Sequence, residues 1–193
     1  MVDEKYRGVA EGILEELPEI KLLSTQDLQD KVVSVWASLL IESEYEKIGE
    51  CGKLKGYDLA KHTRHVTKTC IALADLMEEF YGKSCDRDVL IASGLLHDAS
   101  SVLEKGKNGK TELGNSLMHS QLAGVRCWEF GLPGAVAWNV SHHSFSPPHV
   151  CINPKNLEFV LLTYADLSAI DEGFYMEGKP THLQITKRFY SIN

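Results

Sequence analysis

The sequence predicts an all-α, single-domain helical bundle. Apolar residues recur at helical spacing along most of the 193 residues, and capping and stop signals bound those stretches. No segment alternates apolar and polar residues as a half-buried strand would, and there is no repeat or low-complexity tract. The length suits one domain with a proper core.

Helical spacing first appears at 5–17 and again at 26–47, where Leu28, Val32, Val33, Trp36, Leu39 and Leu40 form one stripe. Ser24 followed by Asp27 resembles a capping box opening the second of these. The stretch IGECGKLKGY, 48–57, reads as a loop. Further helices are expected at 58–81, 86–99, 115–130, 134–144, 155–171 and 181–190. Asn153 and Pro154 signal the start of the helix at 155. Gly82, Gly131 and Gly173 mark expected helix ends.

Composition narrows the function classes. With 44% hydrophobic and 24% charged residues, the chain reads as a soluble globular protein. A net charge of −7 with no basic stripe argues against nucleic acid as the main partner. Cys51, Cys70, Cys85, Cys127 and Cys151 are scattered, odd in number and without a CxxC pair, which fits buried thiols in a reducing compartment. The first residues are acidic and amphipathic, unlike a signal or transit peptide, and no apolar run approaches membrane-spanning length. A cytoplasmic protein with no membrane partner is the expectation. The oligomeric state is not legible, and a homodimer is compatible with the sequence.

The chemistry-bearing residues interrupt this pattern. His97 and Asp98 close the apolar run GLLHDAS, where an ionised carboxylate is costly to bury without compensating charge. Asp166 lies among Phe159, Leu161, Leu162, Tyr164, Ala165, Leu167 and Ile170. His62 and His65 share one helix, His119 opens another, and His142 and His143 end a third. Dispersed along the chain, these groups are free to converge in a bundle. Imidazole nitrogens and carboxylate oxygens suit divalent first-row metals. Any one histidine alone is better explained as a hydrogen-bonded core or surface residue than as a ligand, and His149 and His182 are read that way. Spacing does not choose between His62 and His65, because both stripes of their helix reach the core.

The order His62, His97-Asp98, Asp166 resembles the HD-domain superfamily of helical metal-dependent phosphohydrolases. KHTRHVTKTCIALADLM resembles its first motif helix, in which a ligand histidine precedes a valine by four residues; this points to His62, with Val66 following, and leaves His65 behind the ligand. LIASGLLHDAS resembles the helix bearing the doublet, and YADLSAID the segment carrying the final Asp. MHSQLAGVRCWEFGLPGAVAWNVSHH resembles the segment found in two-metal members. The resemblance covers about 56–172, with 1–55 expected as N-terminal helices packed on that core and 173–193 as a C-terminal helix.

The resemblance implies one or two divalent ions, of iron, manganese, cobalt, nickel or zinc. The first would be held by His62, His97, Asp98 and Asp166. Asp98 would bridge to a second, held also by His119 and His142, with His143 as a substrate contact. It implies a hydrolase that uses a metal-held hydroxide on a small molecule, most naturally a phosphomonoester or nucleotide-like compound. Asp98, His143 and Arg64 are the catalytic candidates, Arg64 and Arg126 being the inward cations available for an anion. Ser100 and Ser101 stand where many phosphohydrolase members have a phosphate-proximal lysine, and Lys105, Lys107 and Lys110 come later in what reads as a solvated connector. That departure keeps other readings open: a di-iron oxygenase cleaving a C–C or C–P bond, a hydrolase of a non-phosphate substrate, or a nucleotide-sensing module without catalysis.

Overall fold

A computed structural model of the chain describes residues 4–54, 57–144, 153–182 and 184. It is an all-α bundle with two small hairpins. The helices are α1 (Arg7–Glu16), α2 (Gln26–Glu42), α3 (Leu59–Tyr81), α4 (Arg87–Leu96), α5 (Ser101–Glu104), α6 (Glu112–Ser116), α7 (His119–Glu129), α8 (Gly134–His142) and α9 (Leu157–Met176). Hairpin β1 (Gly52–Leu54)–β2 (Tyr57–Asp58) precedes α3, and β3 (Lys105–Gly106)–β4 (Gly109–Lys110) joins α5 to α6.

The middle of the bundle is α4. All its residues from Val89 to Leu96 are buried, as expected of a helix with apolar residues on every side. One side of it packs with α2, α7 and α8 in a core that includes Trp36, Leu95 and Val136, and Trp36 Nε1 donates to the Leu95 carbonyl at 3.0 Å. Leu90 belongs to a second cluster, formed with Val66 and Cys70 of α3 and Leu162 and Ala165 of α9. Close packing of α3 on α4 depends on Gly94, where a Cβ would sit 3.1 Å from the Thr67 Cα. The chain therefore leaves α4 at the centre of the molecule, and His97 and Asp98 follow immediately.

Several local expectations shift. The cap of α2 is Thr25, whose side chain accepts from the Leu28 N–H, while Ser24 bonds to Asp88 of α4; a long-range partner has taken the residue that the capping box needed. The helix expected over 26–47 ends at Glu42, where the Ser43 hydroxyl donates to the Leu40 carbonyl. The 48–57 loop contains the short 3-10 turn Ile48–Glu50, whose Ile48 and Gly49 N–H groups donate to Glu16. The helix expected over 115–130 is two, broken before His119. Asn156, not Asn153, caps α9 by accepting from Phe159, and α9 runs through Gly173 to Met176. Gly82 does end α3, with φ 60 in the left-handed region that glycine adopts without penalty. The expected helix 181–190 lies largely outside the described residues, as do His149 and Cys151.

Candidate metal centre

Four elements and the turn after α4 deliver the polar cluster. Asp58 caps α3 by accepting from the Lys61 N–H, which sets the first turn of that helix and places His62, fully buried, one residue further on. His97 and Asp98, also buried, stand in the turn after α4. His119 is the first residue of α7, Asp166 lies midway along α9, and His143 follows the last turn of α8.

The structure brings His62, His97, Asp98, His119, His143 and Asp166 together. Asp98 divides its carboxylate between two pairs of histidines. Its Oδ2 faces His62 Nε2 at 3.1 Å and His97 Nε2 at 3.5 Å. Its Oδ1 faces His119 Nε2 at 3.1 Å and His143 Nε2 at 3.6 Å. Asp166 Oδ1 joins the first pair, 3.2 Å from His62 Nε2 and 3.7 Å from His97 Nε2. The same buried Oδ1 makes no hydrogen bond of acceptable geometry, and His62 Nε2 lies 3.1 Å from His97 Nε2, so these donor atoms crowd one small space.

Ring tautomers sharpen the point. Next to a carbonyl oxygen, an imidazole nitrogen can only be the N–H donor. His97 Nδ1 lies 2.8 Å from the Gly94 carbonyl, and His143 Nδ1 2.7 Å from that of Val140. In the neutral form both rings present an Nε2 lone pair toward the carboxylates. His119 lies between two carboxylates, its Nδ1 3.0 Å from Glu104 Oε2 and its Nε2 3.1 Å from Asp98 Oδ1. Burial holds the His97 imidazolium down, to a pKa of about 4, against the pull of Asp98 and Asp166. Opposing lone pairs in a dry interior repel one another unless a cation lies between them. The donor set fits divalent metal: three overlapping groups, His62/His97/Asp98, His97/His143/Asp166 and Asp98/His119/His143, could each hold an ion.

Other candidates fall elsewhere. His142, expected as the ligand with His143 beside it, is the one turned away. Its ring stacks on Trp138 with centroids 4.6 Å apart, and its Nδ1 meets the Trp138 carbonyl. The helical period explains the exchange, since Val136, Val140 and residue 143 share the buried face of α8. Arg64 does not face the cluster as an anion contact; its Nε is held 3.1 Å from both oxygens of the buried Glu19. Arg126 pairs with Glu42 at 2.7 Å. His65 reaches Glu172 of α9 at 3.3 Å, and His182 pairs with Asp171. Lys110, in the hairpin that was read as a solvated connector, pairs with Glu104 at 3.0 Å. Sequence reading missed Glu104 altogether, because nothing in its spacing links it to a histidine fifteen residues later.

The molecule is thus an all-α protein with a buried histidine–aspartate cluster able to hold metal ions. Among known proteins it is similar to the dihydroneopterin 2',3'-cyclic phosphate phosphodiesterase of Methanocaldococcus jannaschii, with 34% identity over 114 residues. The match takes in 56% of this chain, which spans 44% of the relative's length. No family model matches the chain, and no solved structure matches it with significance.

Proposed function

We propose that the chain is a metal-dependent hydrolase of small-molecule phosphate esters, of the HD-domain kind, with two ions in its site. The observation that carries this reading is the division of Asp98, one oxygen toward each pair of histidines, as a bridging ligand requires. His62, His97, Asp98 and Asp166 would hold one ion. Asp98, His119 and His143 would hold the other. Divalent ions at such a site supply Lewis acidity toward phosphoryl oxygens and make water nucleophilic at neutral pH.

The protein's own part is to keep these donors neutral or anionic, fixed and dry. Nδ1–H bonds from His97 and His143 to main-chain carbonyls lock ring orientation and leave Nε2 available. Burial of His97 keeps it unprotonated through the whole physiological range. Arg64, Arg126 and Lys110 are engaged by Glu19, Glu42 and Glu104, and of these candidates and the metal site it is the metal site that would meet a phosphate's charge. That suits a substrate whose phosphate is the reacting group. Similarity to a cyclic-phosphate phosphodiesterase supports a phosphodiester, a 2',3'-cyclic phosphate being the first to try.

The test is turnover of a nucleoside 2',3'-cyclic phosphate, an aryl phosphodiester and an aryl phosphomonoester, with manganese, cobalt, nickel, zinc or iron supplied, in air and without oxygen. Metal-dependent release of the hydrolysed ester without oxygen is expected. Turnover only in air, with iron, would instead assign an oxygenase.

A further inference from the structure

We propose that Glu104 is the positioning residue for His119, fixing its ring so that Nε2 faces the second ion. The inference rests on the two-ion reading and adds a residue outside the ligand set. Its basis is a continuous chain of contacts. Lys110 Nζ lies 3.0 Å from Glu104 Oε1, Glu104 Oε2 lies 3.0 Å from His119 Nδ1, and His119 Nε2 lies 3.1 Å from Asp98 Oδ1. A carboxylate on one ring nitrogen fixes the tautomer, aims the ring and raises the basicity of the other nitrogen toward a metal. The remaining histidines in the cluster with a described Nδ1 contact, His97 and His143, use main-chain carbonyls of their own helices. His119 is the first residue of α7 and has no preceding helical turn to supply one.

The surroundings hold Glu104 in place from three directions. Its carbonyl accepts from the Thr111 N–H at 3.1 Å, tying the end of α5 to the start of α6. At Gly114 a Cβ would run into that same carbonyl, so α6 lies directly against it. Lys110, carried by the β3–β4 hairpin, occupies the outer carboxylate oxygen and opposes rotation of the side chain. Glu104 and His119 are largely buried, 15% and 20% exposed, which leaves water little room to replace the contact. The hairpin thereby has a role at the site without touching it.

The experiment is a Co²⁺ titration of chelator-stripped protein, read by visible absorption and by metal per chain, for wild type, Glu104→Ala, Glu104→Gln, Lys110→Met and His119→Ala. Wild type should take two equivalents. Glu104→Ala should weaken the second step about 10–100-fold and leave the first unchanged. Glu104→Gln keeps an acceptor oxygen and should weaken it less, and Lys110→Met less again. Circular dichroism of the stripped proteins reports folding; if Glu104→Ala does not fold, the Gln and Met variants decide by the same second step. Two unchanged steps in the folded variants, or equal weakening of both, overturn the role of Glu104. If His119→Ala loses the second step while the Glu104 variants keep it, this inference fails and the two-ion reading stands. One equivalent in wild type, unaffected by His119→Ala, overturns both.

Discussion

The proposed metal site turns on Asp98, whose two carboxylate oxygens face separate pairs of histidines. His97, held neutral by burial, brings no charge to Asp98, whereas His62, 3.1 Å from Asp98 Oδ2, is held above the usual imidazole range by Asp166 and Asp98 although burial pulls it down. Removing a charge from water costs several kcal/mol, so a carboxylate buried among four histidines is a favourable place for a cation. The same reasoning separates the adjacent histidines of α8. His143→Ala should remove one ion and reduce turnover by about a hundredfold or more, the scale for losing a preorganised electrostatic group. His142→Ala should retain both ions and keep turnover within about threefold, losing a stack on Trp138 worth about 0.5–1.5 kcal/mol and the hydrogen bond to the Trp138 carbonyl. Metal analysis and steady-state rates of the two variants check this. Residue by residue, the histidine–aspartate set was visible in the sequence because polar groups stood at apolar positions. The choice within the 142–143 pair was also there, in the stripe of Val136 and Val140. Glu104 was not, since its link to His119 depends on a hairpin and a glycine contact that no periodicity reports.

At the scale of elements, the site exists because α4 is buried on every side and delivers His97 and Asp98 into the interior. Its approach to α3 is set by Gly94 against Thr67, and His62 lies on the same α3, five residues before Thr67. Gly94→Val should force these helices apart. Overpacking of this kind costs about 1–3 kcal/mol, and in a chain of this size each kcal/mol lowers Tm by about 2–4 °C. Thermal melts of the stripped variant should show that loss, and its metal affinity should fall as His62 and His97 separate. Unchanged Tm and affinity would mean that the α3–α4 spacing does not set the site. Helix identity was legible from apolar spacing, yet several boundaries were not. Ser24 was drawn to Asp88, sixty-four residues away, and Thr25 took over as cap. Long-range partners of this sort leave no local signature.

For the whole molecule, the proposed ions join residues of α3, α7, α9, the turn after α4 and the residue after α8, elements that otherwise meet through apolar packing. Metal binding and folding should therefore be linked. A ligand at about one hundred times its Kd adds about 2.7 kcal/mol to stability, so Tm should rise with metal concentration and fall on chelation. An all-α class was legible from composition and periodicity, and what the molecule acts on was not, because Arg64, Arg126 and Lys110, the cations considered for a phosphate, are paired with Glu19, Glu42 and Glu104. The central claim is that Asp98 holds two ions and that those ions are needed for turnover. Its most direct test is metal per chain and phosphodiester turnover, measured together, for wild type and Asp98→Ala. Two ions and metal-dependent turnover in wild type, with both lost in the variant, are the predicted result. Wild-type metal content and turnover in Asp98→Ala would contradict it.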